Sequence, residues 1–195
     1  MIFSDKDIVE AIQQKRIVIT PEPNYETQLG SCSIDLTLSP EFKIFNHSKV
    51  PYVDLKNAGV TDELMQDIIV GPNEPFIMQP GDYVLAITNE HLEIADDLIG
   101  RIEGRSSLGR LGIIVHGTAS VFDPGWRGRP VMELGNLGKV PVALYPGMRI
   151  CAFTFEELKS ATTKPYHKKL NGKYINQNSP LTSKLADEIS REQSK

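Results

Sequence analysis

Nine consecutive residues, Gly104-Arg105-Ser106-Ser107-Leu108-Gly109-Arg110-Leu111-Gly112, hold two arginines, two serines and three glycines. Arginine supplies a planar, permanently charged donor fork, serine adds a short hydroxyl donor, and glycine lets backbone approach a ligand closely. That combination suits phosphate oxygens. From Arg101 to Arg129 lie five of the chain's eight arginines and only two acids, Glu103 and Asp123, so this segment carries +3 in a chain of net charge −4. A local cation cluster in an acidic protein fits a small anionic ligand better than a nucleic-acid surface. A solvated face, or arginines paired with distant acids, fits the same composition.

Three further residues have chemical potential, each with a plainer reading beside it. Glu133 stands in Val131-Met132-Glu133-Leu134, where Val131 and Glu133 share one strand face and Met132 and Leu134 the other. Periodicity alone reads Glu133 as an exposed alternate position on an edge strand. Covered instead, its carboxyl would be desolvated and would suit proton transfer near neutral pH. Asp123 precedes Pro124-Gly125, where aspartate suits a turn; its functional reading is to hold a sugar hydroxyl or orient a water. His116 follows an apolar strand and reads as a structural histidine. His91-Leu92-Glu93 matches half of a zinc deaminase motif, but Cys151 lacks the second cysteine that motif needs. Cys32 and Cys151 alone form no zinc knuckle. Gly104 to Arg110 lacks the Lys-Ser/Thr ending of a P-loop, and no G-x-S-x-G elbow occurs.

The elements that must position these residues are mostly short strands. Ser4-Asp5-Lys6-Asp7 reads as a helix N-cap, with Ile8, Ala11 and Ile12 at helical spacing and an end near Lys15. Ile17–Thr20 is β-branched and reads as a strand, and Pro21–Gly30 as loop. Ser33–Leu38 alternates, and Phe42–Phe45 reads as its strand partner. Asp62–Asp67 is the one stretch of the ambiguous 57–70 segment that suggests a short helix. Strands follow at Phe76–Met78, Tyr83–Thr88, Leu98–Glu103, Ile113–Val115, Ala119–Phe122, Arg129–Leu134, Val142–Leu144 and Arg149–Phe155. Pro-Gly turns punctuate them at Pro80-Gly81, Pro124-Gly125 and Pro146-Gly147. This pattern predicts an all-β sandwich or distorted barrel. After Lys159 the chain turns basic and irregular, through Lys164, His167, Lys168, Lys169 and Lys173, and that tail reads as solvated or as a lid.

At 195 residues the chain fits one domain with a substantial core. The opening Met1-Ile2-Phe3 runs straight into Ser4-Asp5-Lys6-Asp7 and reads as no signal peptide, and no apolar run reaches a membrane span of roughly 20 residues. Two distant cysteines suggest free thiols in a reducing cytoplasm. A pI of about 5.6 argues against a general nucleic-acid binder.

Together these pieces resemble the dCTP deaminase family of the trimeric dUTPase-like superfamily. Gly104–Gly112 looks like its phosphate-binding motif. His116-Gly117-Thr118-Ala119 with Phe122-Asp123-Pro124-Gly125-Trp126 looks like its nucleoside-binding hairpin, and Val131-Met132-Glu133-Leu134 its catalytic-glutamate strand. Pro165-Tyr166, Lys173-Tyr174 and Asn176-Gln177 match its nucleotide-covering C-terminal segment, while Ser4–Ile8 and Ser33-Ile34-Asp35 also fit. The resemblance implies a mainly β, dUTPase-like distorted barrel or jelly-roll with a few short helices, as one domain over residues 1–180 and a charged tail over 181–195. It implies deamination of dCTP to dUTP without zinc, with Glu133 as proton carrier and Ser106, Arg110 and the Ala119 carbonyl in the catalytic set. Arg105, Ser107 and Lys173 would bind phosphates, along the Leu108-Gly109 backbone. Asp123 would hold the deoxyribose 3′-hydroxyl, with Trp126 packed nearby. Val131 and Met132 flank Glu133 in the binding set, and Tyr166 and Gln177 close the site. Magnesium would ride on the triphosphate, dTTP would be an inhibitor, and the sites would lie between subunits of a homotrimer.

The same motifs resemble a plain dUTPase and a bifunctional branch that carries dCTP on to dUMP. The tail lacks the glycine-rich motif of a plain dUTPase, which has no use for Glu133. The bifunctional branch has glycine followed by a bulky residue where this chain has Ser120-Val121, and glutamine where it has Ala152, and alanine cannot hold a water as glutamine can. These features favour release of dUTP, although Ser120-Val121 is not the usual monofunctional pair either. A non-catalytic nucleotide sensor on the same fold would keep Arg105 and Ser106 but lose Glu133.

Overall fold

The computed structural model describes residues 1–46, 52–53, 64–169, 172–185 and 188–189. The chain opens with helix α1 (Asp5–Gln13), set by a capping box: Ser4 Oγ accepts the Asp7 N–H, and the Asp7 carboxylate accepts the Ser4 N–H at 2.8 Å. Ile8 and Ala11 bury the inner face of α1. Lys15 then takes a left-handed conformation, φ 58°, closing the helix where the sequence placed its end. Strand β1 (Ile17–Thr20) follows, and the stretch expected to be all loop contains one turn of helix, α2 (Tyr25–Gln28), capped by the Asn24 side chain on the Glu26 N–H.

Strand β2 (Ile34–Phe45) corrects the sequence reading. Residues 34–38 and 42–45 are not partners but one strand, with a register shift between Leu38 and Phe42. Pro40 sits at that shift, where its missing N–H breaks the ladder. Met65–Ile69 is strand β3, not the end of a helix. It pairs antiparallel with Glu41–Phe45, and that pairing outweighs local propensity. Asp62 and Glu63 of the expected helix lie outside the described residues.

The remaining strands are β4 (Phe76–Met78), β5 (Tyr83–Thr88), β6 (His91–Ile94) and β7 (Leu98–Gly104). The arginine-rich motif begins a single helical turn, α3 (Ser106–Gly109). It leads to β8 (Ile113–Ile114), β9 (Val121–Phe122), β10 (Arg127–Gly128), β11 (Val131–Asn136), β12 (Val142–Leu144) and β13 (Arg149–Glu157). A 3-10 turn at Tyr166–Lys168 starts the C-terminal strap. The largest sheet runs β8-β11-β5-β2-β13-β7-β9, with β3 also on β2. β1-β6-β10 and β12-β4 form smaller sheets. β2 is long enough to join β5 and β3 at one end and β13 at the other, which lets the sheet curl around one core. The architecture is the mainly β one expected, with few short helices.

The core holds the fully buried Ile34, Leu36 and Leu38 of β2, Phe153 and Phe155 of β13, and Leu92 of β6. A Cβ at Gly100 of β7 would come within 2.2 Å of the Phe153 ring, so only glycine lets β13 seat that ring. Cys151 is also fully buried, and burial pushes its thiol well above the usual range, whereas Cys32 is exposed and both are free. Titration of native protein with an aromatic disulfide reagent should count one thiol, Cys32, and denatured protein two. Two fast-reacting thiols in the native state would contradict this packing.

Candidate active site

Glu133 does not sit on an edge strand. β11 pairs with β5 on one side, with Glu133 opposite Leu85, and on the other side the Glu133 N–H bonds the Val115 carbonyl at 3.0 Å. The alternation read from the sequence holds: Met132 and Leu134 are fully buried in the core, and Glu133 is half-buried on the opposite face. That face is partly covered. Gly117 donates its N–H to Glu133 Oε2 at 2.8 Å. A Cβ at Gly117 would lie 2.9 Å from the same oxygen, so a larger residue here would make the carboxylate shift.

Around Glu133 lies a cavity of about 430 Å³. It gathers Ala119, Asp123, Trp126, Val131, Glu133, Tyr166 and Gln177 of the expected site. Trp126 is buried behind it, in an edge-to-face contact with Phe122 at 4.7 Å between ring centroids. Asp123 stands at the Pro124-Gly125 turn, where its carboxylate is paired with Lys169. The C-terminal strap closes this end. The Tyr166 N–H bonds the Pro124 carbonyl at 2.7 Å, and the Tyr174 N–H bonds the Tyr166 hydroxyl at 3.0 Å. Gln177 is buried in a parallel bridge to Gly128, with the Arg129 N–H on its carbonyl at 2.9 Å.

Sequence reasoning did not single out Tyr83, which lines the cavity from β5, diagonal to Glu133. Burial, then the charge of Glu133 and a hydrogen bond to it, hold the Tyr83 phenol above its usual value, so it remains a protonated donor. Its i, i+2 relation to Leu85, the cross-strand neighbour of Glu133, is the signal that pairing β5 with β11 would have supplied. Phe45 and Met65, from β2 and β3, supply apolar wall and were equally invisible before those strands were paired.

The phosphate motif stands elsewhere. Arg105, Ser106, Ser107, Leu108, Gly109 and Arg110 do not line the cavity that holds Glu133. Leu108 anchors α3 in the core, so its contact with any ligand would be through backbone, as for the buried Met132. Arg110 Nε reaches Ser106 Oγ at 3.5 Å. Lys173 pairs with Glu188 instead of facing the cavity. Ala152 sits on β13 between Asp35 and Glu103 and is not part of the cavity wall either. Within one chain the pocket with its held carboxylate and the cationic turn thus stand apart.

Fold and pocket define a mainly β domain of the curled-sheet class, with a cavity bordered by a C-terminal strap. The chain belongs to the dCTP deaminase-like family, whose model matches residues 2–158. It is 55% identical over 193 residues to the dCTP deaminase of Thermomicrobium roseum, covering 99% of this chain and 98% of the relative. It is 44% identical to the dUMP-forming dCTP deaminase of Methanosphaera stadtmanae, covering 96% and 95%. A crystal structure of 2′-deoxycytidine 5′-triphosphate deaminase from Agrobacterium tumefaciens shares the fold at a TM-score of 0.63 and 17% identity. That match covers 80% of this chain, and this chain spans about half, 48%, of the Agrobacterium protein's length. Among the described residues no helix is long and apolar enough to cross a membrane.

Proposed function

We propose that this protein hydrolyses dCTP to dUTP and ammonia, providing dUTP for dUMP and dTTP synthesis, with Glu133 as the proton carrier and no zinc. The observation that carries this reading is the held carboxylate: Glu133 Oε2 is fixed by the Gly117 N–H within a cavity that also presents Ala119, Asp123 and Trp126. Hydrolysis needs a water to attack C4 of the cytosine. Glu133 takes one proton from that water and passes it to ring N3; as the C4–N bond breaks, the second water proton leaves with the amine as ammonia. The Ala119 carbonyl orients the water or the exocyclic amine. Asp123 exchanges Lys169 for the deoxyribose 3′-hydroxyl, and Trp126 supports that wall.

Ser106 and Arg110 position the water and Glu133 and offset charge developing on the ring. Arg105, Ser107 and Lys173 take the phosphates. Tyr166 and Gln177 close over the nucleotide. Because the motif does not reach the pocket of its own chain, a second copy supplies it, in a homotrimer with sites between subunits. The exposed Leu111, Leu137 and Val140, at 51%, 72% and 60%, lie beside the motif and support a contact between copies. Magnesium enters with the triphosphate, whose oxygens suit a hard cation, since among the described residues no three His, Cys, Asp or Glu side chains cluster to hold one. dTTP, with the same sugar and phosphates, competes for the site.

A second reading continues the reaction to dUMP, and the relatives named dUMP-forming, at 42–45% identity, favour it. Val121 on the cavity wall and Ala152 favour the deaminase that stops at dUTP. Chromatography of the products from dCTP and Mg²⁺ separates the two readings: dUTP with ammonia supports the first, dUMP with pyrophosphate the second.

A further inference from the structure

Asp35 lies on β2, opposite Ala152 of β13, which in turn pairs with Glu103 at the end of β7. Its side chain is mostly buried, at 15% exposure, and reaches past a register shift in β13 between Arg149 and Cys151. There Asp35 Oδ2 forms an ion pair with Arg105 Nε at 3.0 Å and accepts a hydrogen bond from Arg149 Nη1 at 3.2 Å. Arg105 Nη1 also donates to the Arg149 carbonyl at 3.0 Å, and Arg149 Nη1 to the Thr27 carbonyl. Behind this grip β2 is itself held. Gln28 Nε2 bonds the Asp35 carbonyl at 2.8 Å and the Glu90 carboxylate at 3.3 Å. The buried Glu90 accepts the Thr37 N–H and hydroxyl at 2.9 and 2.8 Å. The guanidinium of Arg105 is therefore held by an ion pair at Nε and a hydrogen bond at Nη1, while Nη2 has no protein partner among the described residues.

We propose that Asp35 is a positioning residue for phosphate recognition: it grips Arg105 and Arg149 through one carboxylate oxygen and leaves the outer Nη2 edge of Arg105 for a phosphate oxygen. The inference rests on the proposed role of Arg105 as a phosphate ligand. A guanidinium already held at Nε and Nη1 loses less conformational freedom when Nη2 binds an anion, so the clamp acts on affinity for the phosphates and not on proton transfer at the base. Arg149, which composition alone leaves unmarked, is the second cation the clamp organises.

The test compares wild type with Asp35→Asn, which keeps the side-chain shape but removes the charge. In the double variant Asp35→Asn/Arg149→Met, the guanidinium left facing Arg105 is also gone, so folding survives any repulsion created by the single change. Calorimetry with inorganic tripolyphosphate reads the phosphate subsite directly, and steady-state kinetics with dCTP reads KM and kcat. In both variants tripolyphosphate affinity should fall about tenfold and KM for dCTP rise about tenfold, with kcat within about twofold. Variants that melt earlier but keep wild-type affinity and KM would show Asp35 to be only a staple between strands, and would overturn the inference. So would a kcat loss matching the change in KM. Wild-type protein that binds tripolyphosphate but does not deaminate dCTP sinks the proposed function, and the affinity comparison still decides the role of Asp35. Wild-type protein that binds no tripolyphosphate removes the phosphate role of Arg105 and this inference with it.

Discussion

Replacing Glu133 with glutamine should lower kcat for dCTP by about 10²–10⁴-fold, the usual contribution of a positioned acid–base group. The amide keeps the size of the side chain, and its oxygen can still accept the Gly117 N–H that now meets Glu133 Oε2 at 2.8 Å. Nucleotide binding, which the proposed function gives to Asp123, Trp126, the strap and the phosphate-binding residues, should therefore persist, and KM should shift by about twofold or less. The loss belongs to the chemical step because the amide neither takes a proton from water nor returns one to the ring. A variant retaining more than about a tenth of wild-type kcat would remove Glu133 from proton transfer. A large rise in KM with kcat intact would make it a binding residue instead.

The second large effect comes from mixing two dead variants. Glu133→Gln and Arg110→Ala should each be inactive alone, because in the proposed homotrimer each removes one half of every shared site. Subunits exchanged between them at equal ratio should regain about a quarter of wild-type activity, the fraction of interfaces at which an intact Glu133 meets an intact Arg110 from the neighbour. The basis is the separation within one chain: Arg110 caps the C-terminal end of α3, and the cavity around Glu133 contains no residue of that motif. A mixture that stays inactive despite demonstrated subunit exchange would mean that each chain builds its site from its own residues. Substantial activity of Arg110→Ala alone would place Arg110 outside the reaction.

Some of this was legible from residue types alone. The capping box at Ser4 and Asp7, the β-branched Ile17–Thr20 strand and the Pro-Gly turns all declare themselves locally, because their physics acts within a few residues. The arginine-serine-glycine motif was equally plain as chemistry. What escaped was whatever depends on pairing between distant segments. β2 reads as two strands because Pro40 interrupts it, and only its neighbours β13, β5 and β3 carry it through the break. β3 carries helix-compatible residues and becomes a strand because β2 offers it an edge. β6 was passed over although Leu92 and Ile94 alternate with His91 and Glu93, since four residues give a weak signal until β1 pairs with them.

The status of Glu133 shows the same limit at the site itself. Alternation placed it correctly on the face opposite Met132 and Leu134 but could not say that the face was covered. The cover comes from Gly117, Tyr83 and the C-terminal strap, three segments far from β11 in sequence. The ion pair between Asp35 and Arg105 was hidden for the same reason, since it crosses from β2 to the end of β7 beneath β13.

The most direct test of the central claim is a side-by-side incubation of the purified protein and Mg²⁺ with dCTP and with dUTP, resolved by anion-exchange chromatography together with an ammonia assay. dCTP should yield dUTP and ammonia in equal amounts, and dUTP should be left unchanged. Pyrophosphate and dUMP from either nucleotide would contradict a reaction that stops at dUTP, and dCTP left intact with no ammonia would contradict deamination itself.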